Sequence, residues 1–321
     1  ENPEYRENIG GLFAHGNGWY FMDDPGEKKN WLAADHAYAD RMKKETGEFV
    51  DDYTLDSFEI YDIFNNIGFD IDIVNYAACH MGQVEVMHNL PNNVEYAMAS
   101  PSFGYTADIN VHQSLIHDIS QTNLTAEQLG KKYIDHYVNQ LNEHSDRKYP
   151  SVKALYNMSE FDLFINSFSD LSNELNQLFI DNPEKIAYFQ DDILKTNETI
   201  QSYYNSMGAL DPTQVAEKDL LGLLDYLKNN PSKYSEVVSS KAITAYKLLD
   251  NIIVYSKYSD GSEPLLVYKD GDESINTNQE KFTYKNSKGL SINVKEDYFY
   301  QDTWFNQSTN WDAILNQVTI N

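Results

Sequence analysis

The chain has 321 residues, of which 41% are hydrophobic and 13% are aromatic. This composition excludes a disordered chain, and the length allows one large domain or two smaller ones with a sizeable core. The 50 acidic and 24 basic residues give a formal net charge of −26, which argues against binding to nucleic acid or to an anionic membrane through charge alone.

Several kinds of site and segment are absent from the sequence. The single cysteine, Cys79, excludes an intrachain disulfide and a zinc site built from several cysteines. No apolar run approaches the ~18 residues of a membrane-spanning helix, so no membrane span is predicted. The segment most similar to a calcium-binding loop, Asp270 to Glu273, lacks the glycine that such loops carry at their sixth position. We therefore predict no metal site and no cofactor, with calcium left open.

The first predicted strand covers Ile9 to Ala14 and ends at His15, which is followed by glycines. An apolar run that stops at a polar residue is typical of a parallel strand that delivers a side chain to the edge of a sheet. The residues from Tyr20 to Gly68 are mostly polar. Within them, Arg41 to Gly47 form a basic cluster, most simply the solvated face of a helix, and Leu55 to Ile67 carry apolar residues at helical spacing.

The central stretch is Phe69 to Glu85, FDIDIVNYAACHMGQVE, an apolar run that stops at Cys79. It is typical of a buried strand in a parallel sheet, at whose carboxyl end α/β proteins build their sites. We expect a helix to begin near His80 or Met81, so that its free N–H groups and the positive end of its dipole favour the thiolate form of Cys79. Cys79 is therefore predicted to be a nucleophile.

His15 and Cys79 each follow a predicted strand, and the carboxyl ends of parallel strands meet at one edge of a sheet. Together they predict a Cys/His dyad, in which the thiolate attacks a peptide carbonyl and the imidazole relays the proton to the leaving amine. The backbone N–H groups of Gly16 and Cys79 are suited to stabilise the oxyanion. His80 adjoins Cys79, but alternation along the backbone points it away.

Further elements follow along the chain. We predict a helix over Val84 to Leu90, a strand over Val94 to Ala99, and a loop over Ser100 to Asp108 that forms a wall of the substrate cleft. A capping box, Thr125 to Gln128, begins the next helix. The predicted buried face of that helix consists of Leu129, Tyr133, Tyr137 and Leu141.

The pattern breaks at about residues 145–149, which divides the chain into residues 1–145 and 146–321. The second part begins with an amphipathic helix over 161–178, and further helices are predicted at about 184–207, 213–229 and 232–250. From Asn251 the apolar residues alternate with a period of two, as in strands. The sequence thus predicts an α/β core with a mostly parallel sheet flanked by helices, followed by a helical region and a small antiparallel sheet.

The segments around His15 and Cys79 resemble the clostripain family of caspase-like (clan CD) cysteine peptidases. In that family the cysteine lies in a string such as D-A-C-L-M-G-x-x-E-V, to which AACHMGQVEV at residues 77–86 is similar. The strand VEYAMAS at residues 94–100 and the closing segments at residues 289–292 and 311–315 also resemble the family. The resemblance spans most of the chain, while its specific motifs occupy a minority of it.

The resemblance implies a caspase-like catalytic core in residues 1–145, with residues 146–321 packed on it. It also implies a bacterial, exported endopeptidase, secreted, periplasmic or at the cell surface, that cleaves peptides or proteins through Cys79 and His15. Relatives process themselves between the two motifs, which makes Arg41 to Gly47 the candidate cleavage site. Caspase-like folds have strands before the histidine strand, and eight residues precede Ile9 here. Either those strands belong to an amino-terminal fragment of the same precursor, which would then be a partner of this chain, or the sequence is truncated.

The family carries an aspartate two residues before the cysteine, where it lines the pocket for P1, the substrate residue whose carbonyl is attacked, and selects arginine or lysine. This chain has Ala77 at that position, so the carboxylate that would pair with a basic side chain is missing. Asp108, on the predicted cleft loop that begins at Ser100, is the candidate to compensate. The sequence leaves P1 open between basic, small and uncharged residues.

Two other functions remain open at this point. A non-catalytic binding or surface protein on the same scaffold is favoured by Ala77 and by the missing amino-terminal strands. A transferase would form the same acyl-enzyme and pass the acyl group to an amine. Labelling by an electrophilic peptide that disappears in Cys79→Ala would favour the peptidase, and capture of an amine in excess of hydrolysis would favour the transferase.

Overall fold

The structure is a computed structural model that describes residues 9–13, 33–34, 54–55, 57–102, 104, 109–121, 123–143, 150–194, 200–203, 217–260, 266–269, 272–275, 283–294 and 303–319. Its strands are β1 Ile9–Phe13, β2 Ala33–Ala34, β3 Thr54–Leu55, β4 Ile71–Ala77, β5 Val94–Ala99, β6 Val152–Asn157, β7 Ser202–Tyr203, β8 Glu217–Asp219, β9 Ile253–Tyr258, β10 Leu266–Lys269, β11 Asp272–Ile275 and β12 Ser291–Asn293. Its α-helices are α1 Ser57–Asn65, α2 Val84–Met87, α3 Ile109–Gln121, α4 Ala126–Glu143, α5 Phe161–Asp181, α6 Glu184–Phe189, α7 Leu220–Asn229, α8 Glu236–Ile252, α9 Trp304–Thr309 and α10 Asp312–Thr319.

The main sheet has five strands in the order β1-β4-β5-β6-β9. β1, β4 and β5 are parallel, β6 is antiparallel to β5, and β9 is antiparallel to β6. β9 therefore runs in the direction of the first three strands, and only β6 opposes them. This confirms the predicted α/β fold with a mostly parallel sheet.

Helices cover both faces of this sheet, and each face has its own hydrophobic cluster. On the first face, side chains such as Val74, Ala97 and Tyr156 pack against α5, α7, α8, α9 and α10. On the second face, side chains such as Ile73, Met98 and Leu155 pack against α3 and α4. Along β5 and β6 the side chains alternate between the two clusters because successive side chains point to opposite faces.

Several predicted elements are confirmed with small changes in their bounds. α1, β4, β5, α4, α5 and α8 occupy the predicted segments. The capping box also forms: the Thr125 N–H donates to Gln128 Oε1 at 3.0 Å, and the Gln128 N–H donates to Thr125 Oγ1 at 3.3 Å. The four residues of the predicted buried face of α4 are all buried.

Other predictions for the second half of the chain are wrong. Ile253–Tyr258 joins the main sheet as β9 and does not belong to a separate antiparallel sheet. β6 was not predicted, because its sequence, VKALYN, lacks an alternation of polar and apolar residues. The main sheet thus includes strands from both sides of residue 145. β10 and β11 do form a small antiparallel pair.

The helices predicted at 184–207 and 213–229 are shorter than expected. α6 ends at Phe189 and continues only as a π-helical turn to Leu194, and residues 202–203 form β7. Charged residues from Glu217 to Asp219 form β8, which pairs with β7 and with β12 in a three-stranded antiparallel sheet. This sheet depends on pairing between distant segments, which local periodicity does not reveal.

Candidate active site

The chain leaves β4 at Ala77 and turns at Cys79 and His80, where His80 adopts a left-handed conformation with φ of 56°. The predicted start of a helix at His80 or Met81 is wrong, since α2 begins at Val84 and is only four residues long. The N–H groups of His80 and Gly82 donate to the carbonyl oxygens of Ser102 and Ser100, each at 2.8 Å. These bonds hold the turn against the loop after β5 and engage amides that a helix would have left free.

Two glycines allow the cysteine turn and the loop after β5 to approach closely. A Cβ atom on Gly104 would lie 2.5 Å from the carbonyl oxygen of Ala78, and one on Gly82 would lie 2.5 Å from the backbone nitrogen of Pro101. Any other residue would therefore force the two segments apart. The fold of the cysteine turn depends on these contacts.

Cys79 is partly exposed at the carboxyl end of β4, and its thiol donates to the carbonyl oxygen of Gly104 at 3.6 Å. Burial raises the pKa of the Cys79 thiol above its ordinary value, and backbone hydrogen bonds at Gly104 and at Cys79 itself offset only part of this effect. The expectation that a helix terminus favours the thiolate is therefore wrong.

The strand predicted to carry the histidine lies beside β4. β1 and β4 are parallel, and their last paired residues are Phe13 and Ala77. Along the sequence, His15 follows Phe13 by two residues, as Cys79 follows Ala77. His15 and Gly16 themselves lie outside the described residues, as do Asp108 and the basic cluster Arg41 to Gly47.

The two described residues predicted to bind substrate lie in different environments. Ala77 ends β4 and is half-buried. Ser100 is 1% exposed, and its hydroxyl accepts from the N–H of Ser102 at 3.2 Å. The Ser100 side chain thus supports the loop after β5.

A buried polar cluster behind the cysteine turn escaped the sequence analysis. Nδ1 of His80 lies 3.4 Å from a carboxylate oxygen of Glu217 in β8, and both side chains are 1% exposed. Ser291 in β12 donates to the carbonyl oxygen of Gly82 through its N–H at 2.9 Å and its hydroxyl at 3.2 Å. The small sheet of β7, β8 and β12 therefore supports the cysteine turn from behind.

Lys153 in β6 is a second polar residue that the sequence analysis missed. Its Nζ donates to the carbonyl oxygen of Tyr76 at 3.0 Å and lies 5.7 Å and 5.4 Å from the ring centres of Tyr133 and Tyr137. Burial lowers the pKa of Lys153 to about 7. A lysine near the start of a mostly apolar strand carries no sequence signal that separates a buried side chain from an exposed one.

Within the described ranges, no group of three or more histidine, cysteine, aspartate or glutamate residues is arranged to hold a metal ion. The helices in this part of the chain are also too short or too polar to cross a membrane.

The sequence model of the clostripain family matches residues 12–317. No curated protein sequence matches the chain. Among solved structures, a secreted C11 cysteine protease from Bacteroides thetaiotaomicron in complex with an irreversible peptide inhibitor is similar, with a TM-score of 0.57 and 16% identity over 97% of this chain and 72% of that one. An inactive zymogen C11 protease from Parabacteroides distasonis gives a TM-score of 0.53 and 15% identity over 94% of this chain and 69% of that one. At these identities the likeness to the solved structures shows the fold.

Proposed function

The chain belongs to the clostripain family, and from this premise we propose that it is a cysteine endopeptidase with Cys79 as nucleophile and His15 as proton acceptor. The observation that carries the proposal is the register of β1 and β4. Because Phe13 pairs with Ala77 in parallel strands, we expect positions equally far beyond them to lie at the same edge of the sheet. In the sequence, His15 lies two residues beyond Phe13, and Cys79 lies two residues beyond Ala77.

The raised pKa of Cys79 makes a general base necessary. A thiol held neutral by burial attacks slowly, because the thiolate is the nucleophile. In the proposed first step the Cys79 proton passes to the imidazole of His15 as Sγ bonds to the carbonyl carbon of the substrate. The imidazolium then gives this proton to the amine as the C–N bond breaks, which leaves a thioester. Water, deprotonated by the imidazole, hydrolyses the thioester and restores the thiol.

The negative oxygen formed in each step needs hydrogen-bond donors already in place. The amides of His80 and Gly82 are engaged by Ser102 and Ser100, so neither serves this purpose. We assign the oxyanion to the N–H groups of Cys79 and Gly16. The buried contacts behind the turn help to fix the direction of the Cys79 N–H. They hold His80 and Gly82, and with them the backbone that follows Cys79.

The finer properties of the enzyme are further proposals. We infer that it is exported, which the secreted relative from Bacteroides thetaiotaomicron supports. We also infer that it is matured by cleavage within Arg41 to Gly47, the segment between the two motifs, which contains Glu45 as well as basic residues. Calcium dependence and an amino-terminal fragment as partner are also proposals. Each is tested by adding calcium, or the amino-terminal fragment of the precursor, to the purified protein.

The test is hydrolysis of a peptide library that varies at P1, by the wild type, Cys79→Ala and His15→Ala. Both variants should lose at least 10³-fold in kcat/KM, because nucleophile and base act together. A matched control is His117→Ala, which removes an exposed histidine of α3 and should keep full activity.

Labelling with an electrophilic peptide gives a second readout, since the wild type has one thiol. Labelling of the wild type should be lost in Cys79→Ala and slowed in His15→Ala. If the wild type neither cleaves nor is labelled, with calcium and the precursor restored, the peptidase proposal fails and a binding protein on the same scaffold takes its place. Amine capture that exceeds hydrolysis would instead indicate a transferase.

A further inference from the structure

Lys153 is a buried cation without a carboxylate partner among the described residues. Its side chain is 3% exposed, and its polar contact is the carbonyl oxygen of Tyr76. This is unexpected in a chain with 50 acidic and 24 basic residues. A buried ammonium without an anion destabilises a fold by several kcal/mol, so such groups are rare outside functional sites.

The ammonium lies on the second face of the main sheet, at the end of β4 nearest Cys79. Ile73 belongs to the cluster on that face, and Asn75 hydrogen-bonds to Tyr133 of the same cluster. Alternation along the strand places Ala77 on this face as well. Ile73, Asn75 and Ala77 therefore form a row of side chains on β4 that runs under α4 towards Cys79.

Lys153 reaches the same place from β6. Leu155 packs in the cluster on the second face, and Lys153 precedes it by two residues, so both side chains are on this face. The side chain extends past β5 to the carbonyl oxygen of Tyr76. That carbonyl belongs to the peptide bond between Tyr76 and Ala77, which puts the cation beside the small Ala77 side chain.

A substrate on Cys79 brings its P1 side chain close to this point. Cys79 follows Ala77 by two residues, or about 7 Å of extended chain, and Sγ must touch the P1 carbonyl carbon. Ala77 carries only a methyl group between this point and the Lys153 ammonium. A P1 carboxylate lying over Ala77 would meet the ammonium in a site shielded from water, where charged hydrogen bonds are strong.

We propose that Lys153 determines specificity, and that this enzyme cleaves after glutamate or aspartate because their carboxylates pair with the Lys153 ammonium over Ala77. The inference rests on the proposed peptidase function. Arginine and lysine at P1 are disfavoured, since each would place a second cation beside the first. Lys153, which has no carboxylate partner in the described part of the chain, is thereby explained as one half of an ion pair whose other half is supplied by the substrate.

The test compares peptides that differ at P1 only in charge. Glutamate against glutamine and aspartate against asparagine hold size nearly constant, and alanine, arginine and lysine complete the set. The wild type should cleave the acidic member of each pair roughly 30-fold or more faster in kcat/KM, the range expected for a desolvated charge pair. Lys153→Met should reduce each ratio to about one while it retains cleavage after alanine.

Two further variants sharpen the result. Lys218→Met removes another buried lysine, whose Nζ donates to the Ser202 hydroxyl in the small sheet, and should leave the P1 ratios unchanged. Ala77→Asp places a carboxylate next to the cation and should abolish the preference for acidic P1 without changing Lys153 itself.

The outcomes separate the two proposals. If Cys79-dependent cleavage occurs but the acidic member of each pair is not preferred, or if Lys153→Met and Ala77→Asp leave the ratios unchanged, this inference is overturned and the peptidase function stands. If no peptide in the set is cleaved in a Cys79-dependent way, the proposed function fails and the inference fails with it.

Discussion

The two faces of the main sheet are built differently. The first face is lined by aromatic and aliphatic side chains, among them Phe164, Phe168 and Trp311, with ring centres of neighbouring residues 5.3–5.9 Å apart. The second face also has an apolar cluster, with Ile73, Met98 and Leu155 among its members, but the buried Lys153 lies beside its tyrosines. Burial of apolar groups stabilises the fold, whereas a buried charge destabilises it. The comparison therefore separates a face whose core is apolar from one whose apolar core also holds a buried lysine near the end of β4.

The largest expected effect is on the first face. Phe168→Ala removes a fully buried ring that contacts Phe164, Phe305 and Trp311, and should lower the free energy of unfolding by about 4 kcal/mol. Urea denaturation measures the change. Leu163→Ala in the same helix is the control. Because Leu163 is 57% exposed, its replacement should lower the free energy of unfolding only slightly. Equal losses in the two variants would contradict a core at this position.

On the second face, Lys153→Met should increase stability by a few kcal/mol below pH 7. Burial lowers the pKa of Lys153 to about 7 in the folded protein, from 10.5. Below pH 7 both states are protonated, and the folded state bears the full cost of the buried charge. As pH rises from 7 to 10.5 only the unfolded state stays protonated, so the wild type gains stability and the advantage of the variant disappears.

Unfolding by urea at pH 6, 8 and 10 checks the sign of this effect. The groups that face the Lys153 ammonium are the Tyr76 carbonyl and the rings of Tyr133 and Tyr137. Lys247→Met, at an exposed position of α8, should show no such pH dependence. If Lys153→Met were less stable than the wild type at pH 6, the buried lysine would not destabilise the fold.

Gly104→Ala tests the close contact between the cysteine turn and the loop after β5. Its Cβ would meet the backbone of Ala78, so stability should fall by about 2 kcal/mol. The displaced loop should also lose its contact with the Cys79 thiol. Because Cys79 is the only cysteine, the rate of its modification by a disulfide reagent reports this directly and should rise. An unchanged rate would show that Gly104 does not cover the thiol.

Thr125→Ala has the smallest expected effect. It removes half of the capping box of α4, which covers the second face, and should cost about 1 kcal/mol. Peptide hydrolysis should be unaffected, since no site residue contacts the cap. Thr244→Ala, at an exposed position in the middle of α8, is the control and should be neutral. A loss of activity in Thr125→Ala would indicate that α4 moves relative to the strand ends.

Much of the fold was predictable because short-range patterns reflect burial. The apolar run before Cys79 identified β4, the spacing of Phe161 to Leu178 identified α5, and Thr125 to Gln128 marked the start of α4. The strand β6 and the role of Glu217 to Asp219 in β8 were not predictable in this way. Charged residues in those strands are buried through pairing with segments far away in the chain.

The sequence by itself determined the position of Cys79 at the carboxyl end of a central strand, its likeness to a family of peptidases, and the absence of an aspartate at Ala77. Only the tertiary structure decided the state of the thiol, since burial and not a helix dipole controls its pKa. It also placed Lys153 beside the peptide bond of Ala77, across an intervening strand. Local sequence encodes periodicity and caps, but the dielectric environment of a charge depends on which distant segments surround it.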